Sequence, residues 1–127
     1  MTRIYKLRGF ARFKRKERIS DASLRKAIGG VEAGLIDADL GGGLVKQRLP
    51  RPGQGKSGGY RTVIAIKRGD RAVFLYGFAK NERSNIDTDE LEEFRKLARS
   101  FLGLTAQQIA ALIADNELTE VTYDDDG

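Results

Sequence analysis

The chain has 127 residues, of which 40% are hydrophobic and only two are prolines, and its net charge is +5. This length supports one hydrophobic core, so we predict a single domain over residues 1–127, with residues 104–127 forming a C-terminal helix and an acidic tail. No apolar run approaches the roughly 20 residues of a membrane span, and no secretory signal opens the chain. We therefore expect a cytoplasmic protein that makes no contact with a membrane.

Cysteine and histidine are both absent from the sequence. Without cysteine there is no disulfide framework and no thiolate metal site, which fits a reducing compartment. Without histidine the chain lacks the usual general acid or base and the commonest metal ligand. Any catalysis must therefore come from lysine, arginine, tyrosine, carboxylates or hydroxyls, and we expect neither a cofactor nor a metal.

The charge is divided very unevenly along the chain. Residues 1–86 carry 20 Lys and Arg against 7 Asp and Glu, whereas residues 87–127 carry 3 against 11. The two parts therefore have net charges of +13 and −8. This asymmetry indicates a body that binds a polyanion, followed by an acidic end.

The N-terminal third is predicted to form a strand followed by a helical hairpin. Arg3–Leu7 alternates charged and apolar residues with the period of a half-buried strand. Phe10 and Phe13 mark the apolar side of a short helix whose other side is basic. Ser20 is a suitable N-cap for a second helix over residues 21–33, and the glycine that follows supplies a stop signal.

The central part is predicted to form three strands. Residues 35–43, which end in three glycines, are expected to be an irregular connection. Leu44–Leu49 has the pattern of a strand, and residues 50–59 form a loop rich in glycine and proline. Tyr60–Lys67 and Arg71–Ala79 are β-rich and are separated by a short turn, which predicts an antiparallel hairpin.

Two more helices and a short strand are predicted after the hairpin. The first helix begins at Asp87 or Thr88 and ends near Leu102, and the second covers residues 105–114. The buried stripe of the first helix is predicted to consist of Leu91, Phe94, Leu97, Ala98 and Phe101. Residues 118–123 are expected to form a short edge strand. The element order predicts an α+β fold, in which the helices pack on a mostly antiparallel sheet of four to five strands.

The loop at residues 53–58 matches the glycine spacing of a nucleotide-binding motif, and its lysine and serine are similar to the end of a P-loop. The match fails on context, because Pro50 stands where a P-loop needs glycine and a strand follows instead of a helix. We therefore interpret the loop as a flexible connection in which Lys56 can contact a phosphate backbone.

Five cationic side chains are distributed over neighbouring predicted strands and the segment after them. They are Lys46, Arg48, Arg61, Lys80 and Arg83. Between residues 44 and 83 there are 10 Lys and Arg against 2 Asp and Glu. A solvated surface is the alternative for any one of these residues, but their density together favours a groove that binds phosphates.

Three segments resemble the RelE/HigB toxins of bacterial toxin–antitoxin pairs. They are the Lys-Gln-Arg-Leu run at residues 46–49, the Gly-Tyr-Arg start of the strand at residues 59–66, and the G-F-x-K-x-x-R-S ending within residues 73–86. The resemblance is good over residues 44–86 and extends in layout to the N-terminus. It implies a ribosome-dependent, metal-independent endoribonuclease that cuts mRNA, and a separately encoded antitoxin, expected to carry a helix-turn-helix.

The resemblance also implies roles for the cations. Lys46 and Arg48 match a basic pair on a strand, Arg61 matches an arginine that contacts phosphate, and Lys80 and Arg83 fall in the basic segment after the last strand. We take these five as candidate catalytic residues for attack of a ribose 2′-hydroxyl on the adjacent phosphodiester. Crowded cations favour a neutral lysine, so Lys46 or Lys80 is the candidate base.

Two positions depart from the pattern of the resembled toxins. Asn81 stands where some relatives have arginine, and Asp87 stands where they have a catalytic tyrosine. Candidate RNA contacts outside the catalytic set are Lys56, Tyr60, Phe78 and Asn81, although the two aromatic residues are equally compatible with the core.

Three other hypotheses remain open from the sequence. The same layout serves ParE-like toxins that inhibit DNA gyrase without cutting RNA, and an RNA-binding module without chemistry is a further alternative. The acidic tail at residues 124–127 either solubilises the chain or folds over the basic groove and weakens RNA binding. Oligomeric state is left open.

Overall fold

The computed structural model describes residues 2–50, 59–83 and 85–122. Within them the chain forms six strands and four helices. In chain order these are β1 (Arg3–Leu7), α1 (Arg8–Glu17), α2 (Asp21–Glu32), β2 (Ala38–Gly41), β3 (Leu44–Leu49), β4 (Tyr60–Lys67), β5 (Arg71–Ala79), α3 (Thr88–Leu102), α4 (Ala106–Ala114) and β6 (Leu118–Val121).

The strands form one open sheet in the order β2-β3-β4-β5-β1-β6. Strand β1 runs parallel to β5, and the other described neighbours pair antiparallel. Strand β6 lies at the edge, as predicted for the end of the chain. The α+β class and the mostly antiparallel sheet are confirmed, but the expected number of four to five strands was wrong.

The additional strand is β2, which lies in the segment predicted to be an irregular connection. Ala38 pairs with Lys46 on β3, and Gly41 at the end of β2 pairs with Leu44 across a turn of Gly42 and Gly43, with all three glycines at positive φ. Glycine adopts positive φ without the steric cost that other residues pay, so the three glycines make a tight hairpin possible. The same glycines that suggested irregular backbone therefore form the end of β2 and the turn of a hairpin.

Apolar side chains cover both faces of the sheet. On the face under α1 and α2, Leu24 and Ile28 of α2 belong to one apolar cluster with Phe74 of β5, and each is no more than 1% exposed. On the opposite face, Val73 of β5 and Ala98 of α3 belong to one apolar cluster, and both are fully buried. The site described below is on this second face, at the end of the sheet nearest the start of α3.

Most predicted helix limits are confirmed by their caps. The Ser20 hydroxyl accepts a hydrogen bond from the Ser23 amide at 3.1 Å, and Asp87 forms a capping box with Glu90 at the start of α3. One member of the predicted stripe of α3 was wrong, because Leu97 is 37% exposed. The neighbouring Ala98 takes the central position against the sheet, which leaves the larger side chain on the flank of the helix.

A β-bulge lies in the middle of β5. Val63 is opposite Tyr76 and Ile64 is opposite Phe74, so Leu75 is the additional residue on β5. A bulge reverses the alternation of side chains beyond it. As a result Tyr76 packs on the α3 face, whereas Phe74 packs on the face under α1 and α2.

In the part of the chain that the structure describes, no single helix is long and apolar enough to cross a membrane. Helices α3 and α4 meet the requirements of length and composition only as a pair, and this pair is bent by 113°.

Candidate functional site

Cations and aromatic rings share one face of the sheet. Arg48 on β3 is opposite Arg61 on β4, which in turn is opposite Phe78 on β5. Lys46 and Tyr76 lie in the neighbouring row of the same face, with one residue of β4 between them. Since alternate residues of a strand point to the same side, the register alone places these five side chains together.

The three cations of β3 and β4 converge on one carboxylate. Lys46 Nζ lies 3.7 Å from Asp37 Oδ2, and Arg61 Nε lies 3.5 Å from the same oxygen. Arg48 Nε lies 3.4 Å from Asp37 Oδ1. The side chains of Arg61 and Arg48 are 6% and 57% exposed respectively, so the cluster extends from the interior to the surface. We refer to Lys46, Arg48 and Arg61 as the cation cluster.

The segment that carries Asp37 is fixed from both sides. The Asp37 amide donates to the Lys46 carbonyl at 3.0 Å. On the other face of the sheet, the buried Gln47 donates through Nε2 to the Leu35 carbonyl at 2.7 Å and to the Ala27 carbonyl at 3.3 Å. The end of α2, the connection after it and β3 are thereby joined, and Asp37 is held over the cation cluster.

Arg83 forms a second group beside the cation cluster. Its Nη1 donates to the Tyr76 hydroxyl at 3.1 Å and to Glu90 Oε2 at 3.0 Å, and its Nη2 bonds the other Glu90 oxygen. The guanidinium carbon lies 5.6 Å from the centre of the Phe78 ring and 5.9 Å from that of Tyr76. The geometry is that of a bidentate arginine–carboxylate pair held against two aromatic rings.

This pair shifts the titration of both partners. Hydrogen bonds from Arg83, and secondarily from the Asp87 backbone, lower the pKa of Glu90 from 4.5 to about 2. Hydrogen bonding to Glu90 and then to Tyr76 raises the pKa of Arg83 further above its usual range. Both groups therefore stay charged at every physiological pH.

Asn85 connects the two groups. Its carbonyl accepts from Arg83 Nε at 2.9 Å, and its side-chain oxygen lies 3.4 Å from Lys46 Nζ. The same oxygen also accepts from the Ile86 amide at 2.9 Å. The segment between β5 and α3 thus lies against the cation cluster.

The other predicted site residues occupy different places. Lys80 and Asn81 are exposed in the turn that follows β5. Asp87, which stands where the resembled toxins have a tyrosine, is the N-cap of α3. Lys56 and the loop at residues 53–58 lie outside the described residues. The element that follows this loop is a strand, which agrees with the argument against a nucleotide-binding motif.

Tyr60 does not join the cluster, although it is adjacent to Arg61 in sequence. Its side chain lies on the opposite face of the sheet and is 2% exposed. The hydroxyl donates to Glu17 Oε1 at 2.9 Å, and the ring packs edge-on against Phe13. Of the two alternatives for this residue, stacking on RNA or packing in the core, the structure supports the core. Phe78 lies on the site face but is only 5% exposed.

Sequence reasoning missed three residues of the site: Asp37, Tyr76 and Asn85. Strict alternation along β5 groups Tyr76 with Phe74, and no local pattern reveals the bulge that separates them. Asp37 lies in a segment that the glycines suggested to be irregular. A polar residue just before a hairpin strand gives no signal of the side chains it will meet.

The cation cluster can bind an anion. Among the described residues its three positive charges pair with the carboxylate of Asp37, which leaves an excess of +2 within this group. The strands fix these cations before any ligand binds, and preorganised cations stabilise developing negative charge without the cost of reorganisation. Arginine also holds two oxygens of a phosphate at once.

Sequence comparisons assign the chain to a family. Curated proteins give no match to it. The model of a family described as the RelE toxin of the RelE / RelB toxin-antitoxin system matches residues 2–121. This match includes every described element of the fold and all the residues of the site. The chain therefore belongs to the RelE toxin family, and it is the toxin of a toxin–antitoxin system.

Proposed function

We propose that this toxin is a ribosome-dependent endoribonuclease that cleaves mRNA and so inhibits translation. The observation that carries the proposal is the convergence of Lys46, Arg48 and Arg61 within 3.7 Å of one carboxylate. Membership of the RelE family supports a toxin that acts on translation. The proposed reaction is attack of a ribose 2′-hydroxyl on the adjacent phosphodiester, which gives a cyclic phosphate and a free 5′-hydroxyl.

The site matches what this reaction requires from a protein. RNA supplies its own nucleophile, so the protein must provide geometry and neutralise the charge that develops on the phosphate oxygens. Arg61 is the best placed for this role, because it is the most buried of the three cations and lies between β3 and β5. A buried guanidinium acts through a lower dielectric than an exposed one and is therefore more effective.

Other residues are suited to hold the RNA on either side of the reacting phosphate. Arg48 is largely exposed and can contact a flanking phosphate. Arg83 covers Phe78, so we assign base stacking to the outer face of the Arg83 guanidinium and not to the Phe78 ring. Asn81, exposed after β5, is proposed to contact the RNA backbone, and the exposed Lys80 beside it is proposed to act in catalysis. The RNA contact predicted for Lys56 lies outside the described residues.

Toxins of this family pair with a cognate antitoxin. We propose that the antitoxin of this chain carries a helix-turn-helix and silences the toxin by covering or distorting the cation cluster. The suggested inhibitory role of the acidic tail concerns residues 124–127, which lie outside the described residues.

Pulsed expression in bacterial cells tests the proposal. We expect rapid loss of translated mRNA and arrest of protein synthesis, with primer extension showing new 5′ ends inside coding regions. The Arg61→Ala toxin should cause neither effect, whereas Arg68→Ala, which removes an exposed arginine in the turn between β4 and β5, should behave like the unmodified toxin. A DNA-damage response with intact mRNA would instead identify a gyrase inhibitor. RNA binding without new ends would identify a binding module.

A further inference from the structure

We infer that Asp37 is the general base that takes the proton from the attacking 2′-hydroxyl. The inference rests on the proposed nuclease function and assigns its missing proton acceptor. The sequence contains no histidine, so the acceptor must be another side chain. Lys46, one of the two lysines considered from the sequence, is ion-paired with Asp37, and an ion-paired ammonium is a proton donor.

The position of Asp37 follows from its three ion pairs. Its carboxylate touches each of the cations proposed to hold the reacting phosphate. In RNA the 2′-hydroxyl belongs to the ribose whose 3′-oxygen is bonded to that phosphate. A phosphate bound by Arg61 and Lys46 therefore brings its own nucleophile next to Asp37. Proton transfer needs this proximity before anything else.

The ion pairs also leave the carboxylate available. The three nitrogen–oxygen distances are 3.4, 3.5 and 3.7 Å. A charge-assisted hydrogen bond is shorter, at about 2.8 Å. The cations are thus close enough to be held by Asp37, yet their N–H groups are not committed to it. Lys46 Nζ and Arg61 Nη1 make long hydrogen bonds elsewhere, to Asn85 Oδ1 at 3.4 Å and to the Tyr60 carbonyl at 3.5 Å. A phosphate can replace these long contacts while an oxygen of Asp37 accepts the hydroxyl proton.

The neighbouring carboxylates are less suitable. Asp87 Oδ1 accepts the Glu90 amide at 2.8 Å as the cap of α3. Glu90 is held by both terminal nitrogens of Arg83 and also accepts the Asp87 amide at 3.0 Å. The hydrogen bonds of Arg83 also keep the pKa of Glu90 near 2, which makes it a weak base. Of the carboxylates in residues 2–50, 59–83 and 85–122, Asp37 is the one within 4 Å of the cation cluster.

In the proposed step Asp37 accepts one proton and Lys80 donates another. The 2′-hydroxyl proton moves to an oxygen of Asp37 while the 2′-oxygen forms a bond to phosphorus. The bond between phosphorus and the 5′-oxygen breaks, and that oxygen takes a proton from the ammonium of Lys80. Lys80 lies beyond the end of β5 and Asp37 lies next to β3, so β4 with Arg61 is between them. Water then returns the proton from Asp37 to Lys80.

Single-turnover cleavage on ribosomes programmed with a short mRNA tests this assignment. Asp37→Asn should slow cleavage at saturating toxin by about 100-fold or more, the usual contribution of a general base. The same variant should bind at least as tightly to ribosomes whose mRNA carries a 2′-deoxynucleotide at the scissile position, because it removes a negative charge from the cation cluster. Asp37→Glu should restore part of the rate.

A control variant tests whether loss of charge alone slows cleavage, and a modified substrate distinguishes the base from the acid. Asp39→Asn removes the same charge two residues away, where the carboxylate bonds the Gly41 amide, and it should cleave like the unmodified toxin. An mRNA with sulfur in place of the scissile 5′-oxygen has a better leaving group and needs no acid. It should rescue Lys80→Ala and should leave Asp37→Asn slow.

Several outcomes would overturn the assignment. Cleavage by a folded Asp37→Asn variant at the unmodified rate would do so, as would rescue of that variant by the sulfur substrate. A loss of binding equal to the loss of rate would make Asp37 a residue that positions cations. If the unmodified toxin itself did not cleave, the proposed nuclease function would be wrong. That result differs from failure of the Asp37 assignment, in which the unmodified toxin still cleaves.

Discussion

Arg48 and Arg61 lie directly opposite each other on β3 and β4, although both side chains are positively charged. Like charges in opposite positions destabilise a sheet. Asp37 offsets this repulsion, with oxygens 3.4 Å from Arg48 Nε and 3.5 Å from Arg61 Nε. Under the proposed function, the sheet gives up some stability to hold a preformed site for a phosphate, which is the usual compromise at functional sites.

Replacing the buried arginine should separate stability from activity. Arg61→Met keeps most of the side-chain volume and removes a charge that faces Arg48, so we expect the melting temperature to be unchanged or higher. Cleavage of ribosome-bound mRNA should fall by at least about tenfold, because a donor to the transition state is lost. Thermal melts and primer extension on the same preparation measure both effects. Undiminished cleavage by this variant would refute the role assigned to Arg61.

The pair of Arg83 and Glu90 should contribute to stability in a pH-dependent way. The pKa of Glu90 is lowered from 4.5 to about 2 in the folded chain, so its contribution is complete above pH 4.5 and is lost as the pH falls toward 2. Glu90→Gln should therefore lose less stability than the unmodified chain over this acid range. Melting temperatures across the range provide the measurement. Glu93→Gln, on the exposed side of the same helix, is the control and should keep the full acid dependence.

A second carboxylate, Asp21, joins β1, α1 and α2. Its Oδ1 lies 2.9 Å from Lys14 Nζ and 3.6 Å from Lys6 Nζ, and all three side chains are mostly buried. Burial acts to raise the pKa of Asp21, but the hydrogen bond from Lys14 and the charges of both lysines lower it overall. Asp21→Asn should cost about 2 kcal/mol in the free energy of unfolding, measured at neutral pH with denaturant.

The lowered pKa of Asp21 also sets the direction of a pH effect. A carboxylate with a lowered pKa stabilises the fold above its ordinary pKa and loses that effect in acid. The difference in stability between Asp21→Asn and the unmodified chain should therefore shrink as the pH falls below about 4. A difference that grew in acid would contradict this account of the ion pairs.

Gln47 should support both the fold and the site. Gln47→Leu keeps the side-chain size but removes the donor to the Leu35 and Ala27 carbonyls, so unfolding should become easier by about 2 kcal/mol. Cleavage should also slow, because Leu35 is two residues before Asp37. Denaturant unfolding and the ribosome assay check the two effects. Gln107→Leu, at an exposed position of α4, should change neither.

The elements that the sequence predicted well have local signals. The limits predicted for β3, β4 and β5 are those observed, because β4 and β5 are runs rich in apolar and β-branched residues and β3 lies between three glycines and a proline. Strand β2 has no such run, and it exists because Ala38 pairs with Lys46 across a glycine turn. The structure of β2 depends on its pairing partner. The residues of β2 alone therefore do not predict a strand.

The residues of the site also differ in whether their positions have a local signal in the sequence. The positions of Lys46, Arg48 and Arg61 on one face follow from alternation and from pairing of consecutive strands, so their convergence could be predicted. The contribution of Tyr76 depends on a bulge at Leu75, and that of Asp37 depends on the path of the chain after α2. Both depend on tertiary contacts that leave no local pattern in the sequence.

The chemical groups at the ends of the RNA fragments distinguish attack by the 2′-hydroxyl from every other route of cleavage. Ribosomes programmed with a labelled mRNA are incubated with the toxin, and the fragments are analysed by mass. We expect an upstream fragment that ends in a 2′,3′-cyclic phosphate and a downstream fragment with a 5′-hydroxyl, and we expect neither fragment with Arg61→Ala. Intact mRNA, or a downstream fragment with a 5′-phosphate, would contradict the proposed reaction.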